Sequence, residues 1–163
     1  AARRYWPALL GKTFRRDRAA AGANALLNYG YTVLRACVLR GICAAGLHPT
    51  IGLQHSNRGN AFALADDLME PYRPFVDRAV FNLLADGVED VTPDAKRALA
   101  GLNSLDLPTD HGLSPLHLHA TRLAQRLATN FSGSREALPL PVPLEPLALA
   151  GLARDPEPPM EQG

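Results

Sequence analysis

The sequence is short of several things, and each shortage removes a class of protein. No apolar run in the 163 residues approaches the ~20 needed for a membrane-spanning helix. No charged start is followed by a short greasy stretch, so no signal-peptide pattern is present. Cys37 and Cys43 are the only cysteines, too few for a disulfide scaffold or a zinc knuckle. Their spacing puts them on different faces of a helix, and they read as two buried thiols in a reducing cytosol. There is no glycine-rich phosphate loop, no Ser/His/Asp arrangement, no internal repeat and no run of alternating apolar residues long enough for a convincing strand. What remains is a globular composition, 47% hydrophobic and 20% charged, in a chain long enough for one core.

Charge is unevenly spread. The net charge is +1, but residues 1–40 hold Arg3, Arg4, Lys12, Arg15, Arg16, Arg18, Arg35 and Arg40 against the single acid Asp17. That segment stands at +7 and the rest of the chain at −6. A basic cluster is the footprint of a phosphate-binding surface, and equally of an ordinary solvated face.

The apolar spacing predicts helices throughout. Leu9 and Leu10 run into Gly11 as a helix stop, and the polar, basic stretch Lys12 to Gly22 reads as a loop or a helix lead-in. Asn24 is placed to cap a long helix carrying Leu27, Tyr31, Leu34, Val38 and Ile42, which ends at Gly46 with Pro49 beyond. An irregular segment from Pro49 to Gly59 follows. A second helical pattern runs from about Phe62 to Leu84, and Pro71 and Pro74 predict a break near Glu70, since each removes a donor and clashes with the preceding turn. Thr92-Pro93 and Ser114-Pro115 each read as a cap with proline at the first helical position, starting helices through about Leu102 and Asn130. The expected fold is all-α over residues 1–136, followed by a Pro-rich tail, 137–163.

One constellation could carry chemistry: His55, then Asp66, Asp67 and Glu70. Asp67 and Glu70 are three apart and Asp66 and Glu70 four apart, so either pair can share a helix face. An imidazole with two carboxylates suits Mg²⁺ or Mn²⁺. Acidic residues in a helix's first turn also serve simply to offset the helix dipole. His48, His111, His117 and His119 read as surface groups.

Four segments in order give a sharper reading. Residues 1–11, the Asn28-Tyr29-Gly30 stretch, the approach Ala45 to His55 and the acidic segment Phe62 to Pro74 together resemble the CRISPR-associated spacer-acquisition integrase, especially the versions beside type II effectors. The resemblance covers about residues 1–87 and implies a multi-helix C-terminal catalytic domain. It implies a metal-dependent endonuclease and integrase that joins the 3′-hydroxyl ends of new spacer DNA to a CRISPR repeat by transesterification. It implies His55 and Glu70 as ligands of Mg²⁺ or Mn²⁺ and Asp67 as a further acidic position beside the metal. The resemblance puts Arg58 where the family often has a basic residue near the DNA phosphate, and Arg15, Arg16 and Arg18 are candidate phosphate contacts; Asn28 and Tyr29 either support the site or simply pack. The implied partners are double-stranded DNA (spacer precursor and repeat), a second copy held through an N-terminal β-domain, and a second, smaller adaptation protein. The implied location is the prokaryotic cytoplasm. The family's Glu-Gly-x-Ala-Ala motif would use Ala1 and Ala2 as its alanines, so its glutamate is expected just before Ala1, and the 163 residues alone are expected to be inactive. Two other readings stand beside this one: a non-catalytic helical DNA-binding module, and a helical scaffold whose Pro-rich tail docks a partner.

Overall fold

A computed structural model describes residues 2–54 and 59–143. They fall into two compact units, residues 2–17 and Arg18–Pro143. In the first, helix α1 (Ala2–Leu10) ends at Gly11 as expected. Trp6 sits between the rings of Tyr5 and Phe14, at centroid distances of 5.1 and 5.8 Å.

The second unit is built around α2 (Ala23–Ala44), the most apolar long helix in the sequence. Against it pack α3 (Ala63–Met69), α4 (Arg73–Ala85), α5 (Pro93–Gly101) and α6 (Leu116–Phe131). Leu26, Leu27, Leu34, Val38 and Ile42 of α2 are buried against Leu64, Leu68 and Met69 of α3, Val76 and Val80 of α4, Leu99 of α5, and Leu123 of α6 as a single core. Burying side chains of this size stabilises by about 1.5–3 kcal/mol each.

Two glycines, one just past α2 and one within it, answer to backbone constraints. At its C-terminus Gly46 adopts φ 73°, so its amide and that of Leu47 can turn back to Cys43 and Ile42, both at 3.0 Å. That left-handed stop is open to glycine and costly for other residues. Within the helix, Gly41 lies where α6 crosses closely: a Cβ there would stand 3.0 Å from Thr121 Cα and 3.3 Å from its nitrogen. Backbone cannot swing aside as a side chain can. Gly41→Ala is therefore expected to cost about 1–3 kcal/mol of stability by overpacking, read as a lower urea midpoint with unchanged slope.

Several expectations hold and several need correction. The break near Glu70 is present: α3 stops at Met69, a 3-10 turn spans Glu70–Tyr72, and α4 starts at Arg73. Thr92 caps α5, accepting from the Ala95 amide at 3.2 Å. Asn24, in contrast, is buried inside the first turn of α2, and Gly22 holds the cap position. Nor is the fold purely helical. The described residues are mostly helical, with one antiparallel hairpin among them, β1 (Asp106–Thr109) and β2 (Gly112–Pro115). Only Leu107 and its partner Ser114 point inward, so the sequence carries no alternating apolar pattern from which to read it. Ser114 accordingly belongs to a strand and does not cap α6.

Cys43 is exposed while Cys37 is buried, against the expectation of two buried thiols. His119 is a larger correction. It is buried on α6, its ring edge-on to Tyr72 with Nδ1 2.8 Å from the Tyr72 hydroxyl. A tyrosine able to satisfy the imidazole is what lets it leave the surface. His117 is half-buried, with Nδ1 2.8 Å from the Asn103 carbonyl. From 137 the chain continues without helix or strand through Pro143, and 144–163 lie outside the described residues.

Candidate functional site

The short helix α3 and the turn after it gather the acidic residues. Asp66, Asp67 and Glu70 do three different jobs. Asp66 faces α2: its carboxylate pairs with Arg35 at 2.9 Å and accepts from Asn60 Nδ2 at 2.8 Å. It is mostly shielded from solvent, so this ion pair works at lower dielectric than a surface pair. Asp66 ties α3 to α2.

Asp67 reaches the other way. One oxygen, Oδ2, accepts the backbone amides of Leu53 at 2.6 Å and Gln54 at 3.0 Å. Two consecutive amides aimed at one carboxylate oxygen form a charge-assisted clamp, stronger than bonds between neutral groups. The clamped segment is the one that leads directly into His55.

Glu70 opens the 3-10 turn, is half-exposed, and pairs with Arg73 at 3.2 Å. The same guanidinium lies 5.3 Å from the centroid of the Tyr31 ring. Tyr31 in turn donates to the buried carboxylate of Asp77 on α4. Arg73 is thus held from both sides, and it props the Glu70 carboxylate. Tyr31 and Arg35 sit four apart on α2 and supply this polar seam; the i, i+4 spacing is visible in the sequence, but not which carboxylates the two would meet.

His55 and Arg58 lie outside the described residues. Of the other candidates, Arg15 and Arg18 are exposed, and Arg16 donates to the Asp17 carbonyl at 3.2 Å. Arg15 and Arg16 belong to the first unit and Arg18 to the second. Asn28 donates to the Arg18 carbonyl at 2.9 Å, which fixes the start of the second unit against α2. The Tyr29 ring stacks under Lys96 of α5 at 6.0 Å, a packing role. Among the described residues no three His, Cys, Asp or Glu side chains stand together as metal ligands. Among them, too, no helix is long and apolar enough to cross a membrane.

The arrangement defines a helical domain that presents one propped carboxylate beside a loop clamped by another. Known proteins give it a family. Residues 1–97 match the family model described as CRISPR associated protein Cas1. The chain belongs to the Cas1 family. It is 44% identical over 101 residues to the CRISPR-associated endonuclease Cas1 of Neisseria meningitidis, covering 61% of this chain and 33% of that protein. It is 45% identical over 62 residues to the CRISPR-associated endonuclease Cas1 1 of Francisella tularensis subsp. novicida, covering 37% of this chain and 20% of the relative. The chain thus spans about a third of the first of these relatives. Among solved structures it is similar to a casposase bound to integration product, with a TM-score of 0.69 and 26% identity over 84% of this chain and 49% of that one.

Proposed function

We propose that these residues supply part of the active site of a DNA-cutting and DNA-joining enzyme of CRISPR adaptation, with His55 and Glu70 holding Mg²⁺ or Mn²⁺. The observation that carries this reading is the Asp67 clamp. It fastens Leu53 and Gln54, which come just ahead of His55 in the sequence, to the helix whose end presents Glu70. The donor set fits a hard divalent ion: one carboxylate half-open to solvent and one imidazole.

Bound there, the ion supplies Lewis acidity at a phosphoryl oxygen and lowers the pKa of an attacking hydroxyl. The chain's own residues do the rest. Asp67 is a positioning residue, since its carboxylate oxygen is spent on two amides. Arg73 holds Glu70 in place. Arg58, Arg15, Arg16 and Arg18 neutralise backbone phosphates without reading bases. The reaction is transesterification: a 3′-hydroxyl of the spacer precursor attacks a phosphodiester of the CRISPR repeat, one P–O bond forms, and the 3′-oxygen of the cut strand leaves. With water as the nucleophile the outcome is cleavage. That a casposase has been captured on an integration product supports DNA as the partner here. A second copy of the chain, joined through an N-terminal β-domain, and a smaller adaptation protein complete the assembly in the prokaryotic cytoplasm.

The family ligand set takes a further glutamate ahead of Ala1, so the 163 residues alone are expected to be inactive. The test is strand cleavage by a chain carrying that glutamate at the family spacing. EDTA is expected to abolish cleavage and Mn²⁺ to restore it, while the 163 residues alone cleave little in either condition. The +7 charge of residues 1–40 favours a second reading, a non-catalytic DNA-binding module. DNA binding with no cleavage by the longer chain in any metal would favour it.

A further inference from the structure

Away from α3 the second unit carries a groove of about 530 Å³, open along one side. It runs between the hairpin, one face of α6 and the extended residues 139–142. Its walls differ in chemistry. His119, Arg122 and Arg126 stand at i, i+3 and i+7 on α6, so all three project from one helix face. Opposite them, Leu140 and Val142 are exposed, at 59% and 57%.

His119 is what makes this more than a surface cleft. It is only 3% exposed, yet it lines the groove. Its Nδ1 stands 2.8 Å from the Tyr72 hydroxyl, so one ring nitrogen is spent inside the fold. Burial, helped by the charge of Arg122, pushes the imidazole below its ordinary value and keeps it neutral. With Nδ1 engaged by Tyr72, the second ring nitrogen, Nε2, is left to meet a ligand beside two guanidiniums. Neither guanidinium is locked into the fold. Arg122 donates to the Ser114 hydroxyl at 3.2 Å, and Arg126 pairs with the exposed Glu136. Glu136 is held in place by its backbone, which exchanges hydrogen bonds with Asn130, and not by that ion pair.

We propose that this groove binds one nucleotide, with its phosphate on Arg122, Arg126 and His119 and its base against Leu140 and Val142. Guanidiniums one turn apart suit phosphate oxygens. The groove's size lies within the roughly 300–1,000 Å³ of small-molecule sites, and a cationic floor facing an apolar wall matches a phosphate joined to a base. Glu136 competes with the phosphate for Arg126. Asp110, on the hairpin side, is the acid that lines the groove, and His111 lies beside it. The nucleotide can be free or part of a single strand; both present the same phosphate and base.

The proposed site uses neither His55 nor Glu70 as a contact and needs no metal, so the test is run in EDTA. The 163-residue chain, labelled with ¹⁵N-histidine, is titrated with dTMP, with an oligothymidylate and with inorganic phosphate. The ring signals of His119 and His111 are expected to shift with dTMP or the oligonucleotide, while those of His48 and His117 stay in place. Arg122→Ala is expected to weaken binding about tenfold, and Glu136→Gln to tighten it by freeing Arg126. Shifts with the strand but not with dTMP would assign the source as nucleic acid, and shifts with both would admit free nucleotides. Unmoved His119 signals with either probe would overturn the proposal. So would equal affinity for dTMP and inorganic phosphate, or unaltered affinity in both variants. The His48 and His117 signals report in each variant that the fold is intact.

Discussion

Glu70→Gln, placed in a chain that carries the family glutamate ahead of Ala1, is expected to lower metal-dependent DNA cleavage by at least about 100-fold. Loss of an outer-shell partner of a metal typically costs 10–100-fold, and a direct ligand should exceed that range. The variant keeps the size of the side chain and one carbonyl acceptor; what it removes is the charge a hard cation needs. It also breaks the ion pair with Arg73, but that pair is partly open to solvent and contributes at most about 1 kcal/mol. The melting temperature should therefore move little while cleavage falls. A large loss of stability together with cleavage would assign Glu70 to the fold. Full cleavage would remove it from the site.

Asp67 should behave differently, because its carboxylate oxygen is spent on the loop. Asp67→Ala removes the acceptor for the amides of Leu53 and Gln54 and frees the segment that bears His55. The expected loss of cleavage is about 10–100-fold, the size of an effect that acts through a neighbour. It should appear mainly as a higher Mn²⁺ requirement, because a mobile ligand loop weakens binding more than it alters the bound state. Asp67→Asn keeps a carbonyl that can still accept, so it should recover a good part of the loss. An aspartate acting as a ligand would give another pattern. Asparagine would then be nearly as damaging as alanine, and excess Mn²⁺ would recover little. The Mn²⁺ dependence of cleavage in the two variants decides between these roles.

The helices were legible because their signals are local. Gly46 with Pro49, Thr92-Pro93, and the paired Pro71 and Pro74 each act on backbone within a turn or two, and each boundary falls where that chemistry puts it. The hairpin was not legible. Its four-residue strands bury only Leu107 and Ser114, and its stability comes from pairing between strands that no short-range pattern records. The buried state of His119 depends on Tyr72, 47 positions away, which only the fold brings alongside. The candidate site divides in the same way. Its acidic cluster was visible from spacing, and the family from four ordered segments. Yet spacing made Asp66 and Asp67 interchangeable. Their separate jobs are set by Arg35 and Asn60 on one side and by two amides of a distant loop on the other. Arg73, Tyr31 and Asp77, which prop Glu70, carried no signal, because a guanidinium between a carboxylate and a ring exists only once α2 and α4 have packed.

The central claim, that His55 and Glu70 hold a divalent ion, is tested most directly by titrating Mn²⁺ into the chain that carries the upstream glutamate and following free Mn²⁺ by electron paramagnetic resonance. The account predicts a saturable site that His55→Ala and Glu70→Gln each weaken strongly, while Asp66→Asn leaves its affinity close to the starting value. Equal Mn²⁺ affinity in the parent chain, His55→Ala and Glu70→Gln would contradict it.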